Sequence, residues 1–136
     1  MIPYQTRTKK LSGTSYGEVI KKALFVFKEI ERKTKRKPYI RSPYFKKEKI
    51  FFDYFWTHLR QKSPKERYKR LKYFNVAIEV IKNSKNKPSL RKNPNKNTEI
   101  LYRFAGLTKE KELFFVQIKE NTRSKKKYFM FCFSPE

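Results

Sequence analysis

The chain has 136 residues, of which 36 are Lys or Arg and 12 are Asp or Glu, for a formal charge of +24. That length fits one domain with one modest core, and that charge attracts polyanions while opposing compaction. Cys132 is the one cysteine, which excludes an intrachain disulfide framework or a paired-cysteine zinc knuckle. Aromatic residues make up 17% of the chain, so a core built largely from Phe and Tyr is expected. The opening MIPYQTRTKK has no apolar signal core. Apolar runs such as Ala23 to Phe27 are too short to span a bilayer. The expectation is a cytoplasmic protein without a membrane role, whose partner is RNA.

Residues 1–13 read as a basic, poorly ordered arm or a lone edge strand, ahead of a single α+β domain over 14–136. Ser15-Tyr16-Gly17-Glu18 forms a capping box, and apolar residues at helical spacing predict a first helix over 16–33. Pro38 prevents its continuation, and the segment to Phe45, with two prolines, reads as an extended connector. A second helix is predicted over 47–61, apolar almost all round between Ile50 and Trp56. Ser63-Pro64-Lys65-Glu66 is a second capping box, opening a third helix predicted over 64–83. Residues 84–97, with two prolines and many polar side chains, read as a basic loop. Strands follow over 99–105, 113–120 and 128–133. The expected fold is therefore α+β, with three N-terminal helices packed on a C-terminal antiparallel sheet of three to four strands.

Strand alternation sorts the side chains of that sheet. Tyr102, Phe104, Phe114, Val116, Ile118, Phe129, Phe131 and Phe133 should meet the helices. Arg103, Gln117, Lys119, Tyr128, Met130 and Cys132 should occupy the other face, with Arg103 opposite Gln117 and Leu101 opposite Lys119. Antiparallel sheets commonly have one solvated face, so this polar set is either a wet surface or a phosphate-binding platform. In the second case Arg and Lys supply charge and Tyr a stacking surface.

Cleavage of RNA without a metal needs a base for the 2′-hydroxyl, an acid for the leaving oxygen and cations for the phosphorane. His58 is the only histidine, and the one side chain that ordinarily titrates near neutrality. Its alternative role is a partly buried structural imidazole. Gln117-Ile118-Lys119 superficially matches the end of a metal-dependent nuclease motif, but the preceding strand lacks the aspartate such a site requires. No Walker, dinucleotide-binding or zinc pattern occurs.

The stretch Phe55-Trp56-Thr57-His58-Leu59, with Lys62, Arg67, Arg70-Leu71, Ile100 to Gly106 and Phe115 to Glu120, resembles the barnase/EndoU/colicin/RelE-like (BECR) grouping of small phage and bacterial nucleases. The resemblance covers roughly residues 40–134 and is one of pattern and order. It implies N-terminal helices before an antiparallel sheet and a toxin-like ribonuclease that needs no metal or other cofactor. It also implies an acidic inhibitor protein as a partner. On that reading His58 is the base or acid, and Arg103 and Lys119 bind and stabilise the phosphate. Lys62, Arg67 and Arg70 position the RNA backbone, Gln117 and Tyr128 contribute from the sheet, and Ser134 supplies a hydroxyl after the last strand. The alternative is a non-catalytic RNA-binding or ribosome-associated protein. In its favour, residues 1–49 carry 15 basic and 4 acidic side chains, whereas residues 99–136 carry 8 and 5. The strongest field thus lies away from the proposed sheet site.

Overall fold

The Ser15 hydroxyl accepts the Glu18 backbone N–H and starts α1 (Tyr16–Arg32). The computed structural model describes residues 1–135. After α1 the chain departs from the helical expectation. Tyr39–Ser42 forms β2, and Glu48–Phe51 forms β3, its antiparallel partner, where a helix over 47–61 was expected. Lys46 and Lys47 close the turn between them with φ of 55° and 66°. The Lys47 N–H donates to the Ser42 carbonyl at 2.8 Å. Two successive left-handed residues cannot continue a helix. The apolar run also fits a strand with something to cover on both faces: Ile50 enters the core, while Phe51 meets Tyr39 and Tyr128 on the other side. Only the short α2 (Phe55–Arg60) remains of the expected second helix.

The expected third helix is two helices. Ser63 caps α3 (Pro64–Leu71), with Pro64 in the first turn. The Tyr73 N–H then reaches back only to the Arg70 carbonyl, a three-residue step that tightens the turn, and α4 (Phe74–Asn83) sets off anew. The break lets α4 be buried nearly all round: Phe74, Val76, Ala77, Ile78, Val80 and Ile81 are all core residues.

Residues 84–97 are not a free loop. Ser89–Asn93 forms β4, which pairs antiparallel with the first part of β5 (Lys96–Leu107) through a tight turn at Pro94-Asn95. The antiparallel run then continues through β6 (Leu113–Asn121) and β7 (Lys127–Phe133). At the start of the chain, Tyr4–Gln5 forms β1, parallel to the end of β5. The result corrects the expected architecture. One seven-stranded mixed sheet, ordered β1-β5-β6-β7-β3-β2 with β4 also on β5, curls into a half-barrel accompanied by four helices. The extended segments at 4–5, 39–51 and 89–93 all join it, so it is larger than three or four strands and includes parallel pairs.

The N-terminal segment lies against this body. The Glu79 carboxylate accepts from the Tyr4 hydroxyl, the Arg7 and Thr8 backbone N–H groups and the Thr8 hydroxyl, at 2.6–3.1 Å. The Tyr68 hydroxyl donates to the Gly13 carbonyl at 2.7 Å. No helix among the described residues is long and apolar enough to cross a membrane.

A bulge in β7 decides which side chains face the helices. Ile118 pairs with Phe129 but Gln117 pairs with Phe131, leaving Met130 as the extra residue. Phe129 and Cys132 are therefore fully buried, and Phe131 and Phe133 turn to the open face beside Gln117 and Phe115. This reverses the expectation for Phe131, Phe133 and Cys132, because one inserted residue flips every later side chain. Phe55 of α2 stacks on Phe129 at 4.5 Å. β3 pairs with β7 only at Ile50–Lys127 and Phe51–Tyr128, so the rest of the β7 edge is left to α2 and α3. The Cys132 thiol donates to the Arg70 carbonyl across that edge at 3.4 Å, and covering an unpaired edge blocks strand addition.

Candidate nucleic-acid interface

The open sheet face is built from the odd positions of β5 and β6. Arg103 lies opposite Gln117 and Leu101 opposite Lys119, the pairing read from the sequence, and Lys119 lies opposite Tyr128. Arg103 donates to the Gln117 side-chain oxygen at 3.0 Å, and its guanidinium stands 4.9 Å from the Phe133 ring and 5.9 Å from that of Phe115. Arg70 reaches over the β7 edge from α3. Its guanidinium lies 5.1 Å from Phe131 and 5.7 Å from Phe133, and its Nε donates to Glu66 at 2.9 Å. The Arg70 Nη1 is buried and makes no hydrogen bond. Arg103 and Arg70 thus share the Phe133 ring.

Lys119 is held 3.3 Å from the Glu99 carboxylate and 4.3 Å from the Tyr54 ring, and Tyr54 in turn packs edge-on against Tyr128 at 4.9 Å. His58 sits at the rim on α2, half-buried, its ring 6.4 Å from that of Phe131. Burial pushes its pKa below the ordinary histidine value, and the positive charges of Lys119, Lys62 and Arg70 push it further the same way. The imidazole is therefore neutral at pH 7 and set among cations.

The structure thus brings His58, Lys62, Arg70 and Lys119 into one electrostatic neighbourhood, with Arg103, Gln117 and Tyr128 on the same sheet face. His58 and Arg103 do not line a single cavity. Arg103 and Gln117 open on a space of about 290 Å³ walled by Ser89 and Arg91 of β4. His58, Lys62, Arg70 and Phe131 close around a small gap at the other end of the Arg70–Phe133–Arg103 stack. Two expected residues lie elsewhere. Arg67 donates to the carbonyls of Lys62 and Arg60 at 2.9 and 2.8 Å and so pins the α2–α3 turn. Ser134 meets the Tyr73 hydroxyl, and Tyr73 packs on core residue Phe114.

The aromatic half of this face was not singled out from the sequence. Tyr39, Phe51, Tyr54, Phe115, Phe131 and Phe133 all contribute to it. The signal was the unbroken run Tyr128-Phe129-Met130-Phe131-Cys132-Phe133, apolar at both parities, which means a strand with apolar surface on both faces. Among the described residues, no group of three or more His, Cys, Asp or Glu side chains is placed to hold a metal ion. No family model matches the sequence, and no curated protein or solved structure matches it.

Proposed function

We propose that the chain binds RNA on the open face of the sheet and cleaves it there by metal-independent transphosphorylation. The observation that carries this reading is the chain's one imidazole, kept neutral at the rim of a face that presents Lys119, Lys62 and Arg70 around it. A neutral imidazole accepts the 2′-hydroxyl proton. The 2′-oxygen then attacks the adjacent phosphorus, the bond to the 5′-oxygen breaks, and a 2′,3′-cyclic phosphate and a 5′-hydroxyl end result. The proton returns to the leaving oxygen from the imidazolium, directly or through water. Lys119 offsets the charge that builds on the phosphoryl oxygens, Lys62 and Arg70 hold the flanking backbone, and Arg103, at the far end of the Arg70–Phe133–Arg103 stack, holds a phosphate further along the strand. This is also the chemistry implied by the resemblance to BECR nucleases.

A second reading, a binding protein without catalysis, is favoured by one specific observation: Lys119 is already ion-paired with Glu99. Incubation of the purified protein with end-labelled RNA in EDTA separates the two. Cyclic-phosphate ends that disappear in His58→Ala support cleavage. Intact RNA with salt-sensitive retention discards cleavage and leaves binding.

A further inference from the structure

We infer that the open face carries a second subsite, a single-strand RNA pocket at the β2–β3 end that grips a nucleotide several positions from the one at His58. It rests on the reading that this face binds RNA, and not on cleavage.

A space of about 660 Å³ opens between the segment after α1, β2, β3 and the β6–β7 loop. Its cations are Lys33, Lys35, Arg36, Lys37, Lys49 and Lys126, and its floor is Tyr39 and Phe51; no acid lines it. Among the described residues only Lys37 of these six makes an ion pair, with Asp53 at 2.9 Å. The volume lies in the range of small-ligand sites. Uncompensated cations around two ring faces are the chemistry that holds a phosphate and its base together.

The pocket is connected to the candidate cleavage site by rings. From Lys119 the contacts run to Tyr54 at 4.3 Å, Tyr54 to Tyr128 at 4.9 Å, Tyr128 to Phe51 at 6.1 Å and Phe51 to Tyr39 at 6.1 Å. Lys49 and Arg41 stand 4.7 and 5.4 Å from the Tyr39 ring and flank the far end. Such a row accepts bases that are free to leave a stack, so it selects a single strand over a duplex, whose bases are turned inward. It also makes the substrate long: a dinucleotide reaches one end only.

The test is binding by the full chain carrying His58→Ala, so that no cleavage interferes. Fluorescence anisotropy compares a 12-nucleotide oligouridylate, a duplex of equal length and inorganic polyphosphate. The expected result is tightest binding of the oligouridylate. The triple variant K33A/K35A/R36A should weaken it about tenfold or more and reduce the salt slope by about two, since each phosphate contact on a single strand contributes about 0.7. Phe51→Leu and Tyr39→Leu, which remove the ring but keep apolar bulk, should each weaken it about tenfold, with circular dichroism confirming the fold. The charge-matched triple K21A/K85A/K109A, at exposed positions outside the pocket, should weaken it less. Equal binding of polyphosphate, unchanged affinity in both ring variants, or equal losses in the two triples would each overturn the subsite. A cleaving protein that passes none of these tests would keep its activity and lose the subsite; a non-cleaving one that passes them keeps the subsite alone.

Discussion

The Lys119 ammonium lies 3.3 Å from the Glu99 carboxylate, and both side chains are mostly buried. Lys119 reaches that carboxylate from β6, across the sheet from β5. Burial raises the Glu99 pKa, but the Asn93 hydrogen bond and the Lys119 charge more than offset it, so the carboxylate titrates below its ordinary value. The pair is therefore a structural contact between β5 and β6, on the residue that the proposed function assigns to the phosphate. Lys119→Ala is expected to lower RNA cleavage by about a hundredfold or more, as removal of a transition-state donor does. It should also cost about 1–3 kcal/mol of stability, because Glu99 loses its main cation. Adding Glu99→Gln should restore the urea midpoint without restoring cleavage. Recovery of both together would show that Lys119 acts only by holding the sheet.

His58 supplies a pH dependence with a definite sign. Its pKa in the folded chain is lowered, so the cleavage rate should rise with pH through a midpoint below 6.5 and be level near neutrality. Lys62→Gln removes one of the charges that lower it and should move the midpoint upward. Stability follows from the same shift. Between the folded pKa and the unfolded value the unfolded chain binds more protons, so His58 adds a destabilising contribution that grows as pH falls through that window. His58→Gln should be the more acid-resistant protein in urea titrations across that range. A rate midpoint above 6.5 would remove His58 as the base.

Gly106 is the close-packing point between β5 and β6. It pairs with Phe114, and a Cβ on it would stand 2.3 Å from the tip of that ring, which is fully buried. The ring covers the glycine and has no room to retreat into a packed core. Gly106→Ala is expected to destabilise the protein by about 1–3 kcal/mol, read as a lower denaturant midpoint with an unchanged slope.

Glu79 ties the N-terminal segment to α4. Its burial raises its pKa, but hydrogen bonds from Thr8, Arg7 and Tyr4 outweigh this and hold it below the ordinary carboxylate value. A lowered carboxylate contributes stability above its unfolded pKa and loses it as pH falls through the folded one. Glu79→Gln should cost about 1–2 kcal/mol at neutral pH, at the lower end for charged hydrogen bonds because the site is partly exposed. It should also flatten the stability curve in acid and speed amide exchange over residues 4–8. Unchanged exchange there would mean that β1 and the other contacts of the segment hold it without Glu79.

Features governed by near neighbours were legible in the sequence. The caps at Ser15 and Ser63, the start of α3 at Pro64, and the pairing of Arg103 with Gln117 across a short turn each depend on residues close along the chain. Arg103 and Lys119 of the candidate site followed from that pairing and strand alternation, whereas Lys62 and Arg70 entered only through the resemblance. Tertiary structure decided the rest. Ile50 to Trp56 suits a buried helix or a buried strand equally well, and the choice fell to a partner on β7 far along the chain. The bulge at Met130, the split between α3 and α4 and the recruitment of residues 89–93 are likewise settled by surfaces that exist only once the sheet has curled. Backbone hydrogen bonds must be satisfied somewhere, and which distant segment satisfies them is a property of the packed whole. The same packing brought the imidazole on α2 around the β7 edge to the cations of the open face.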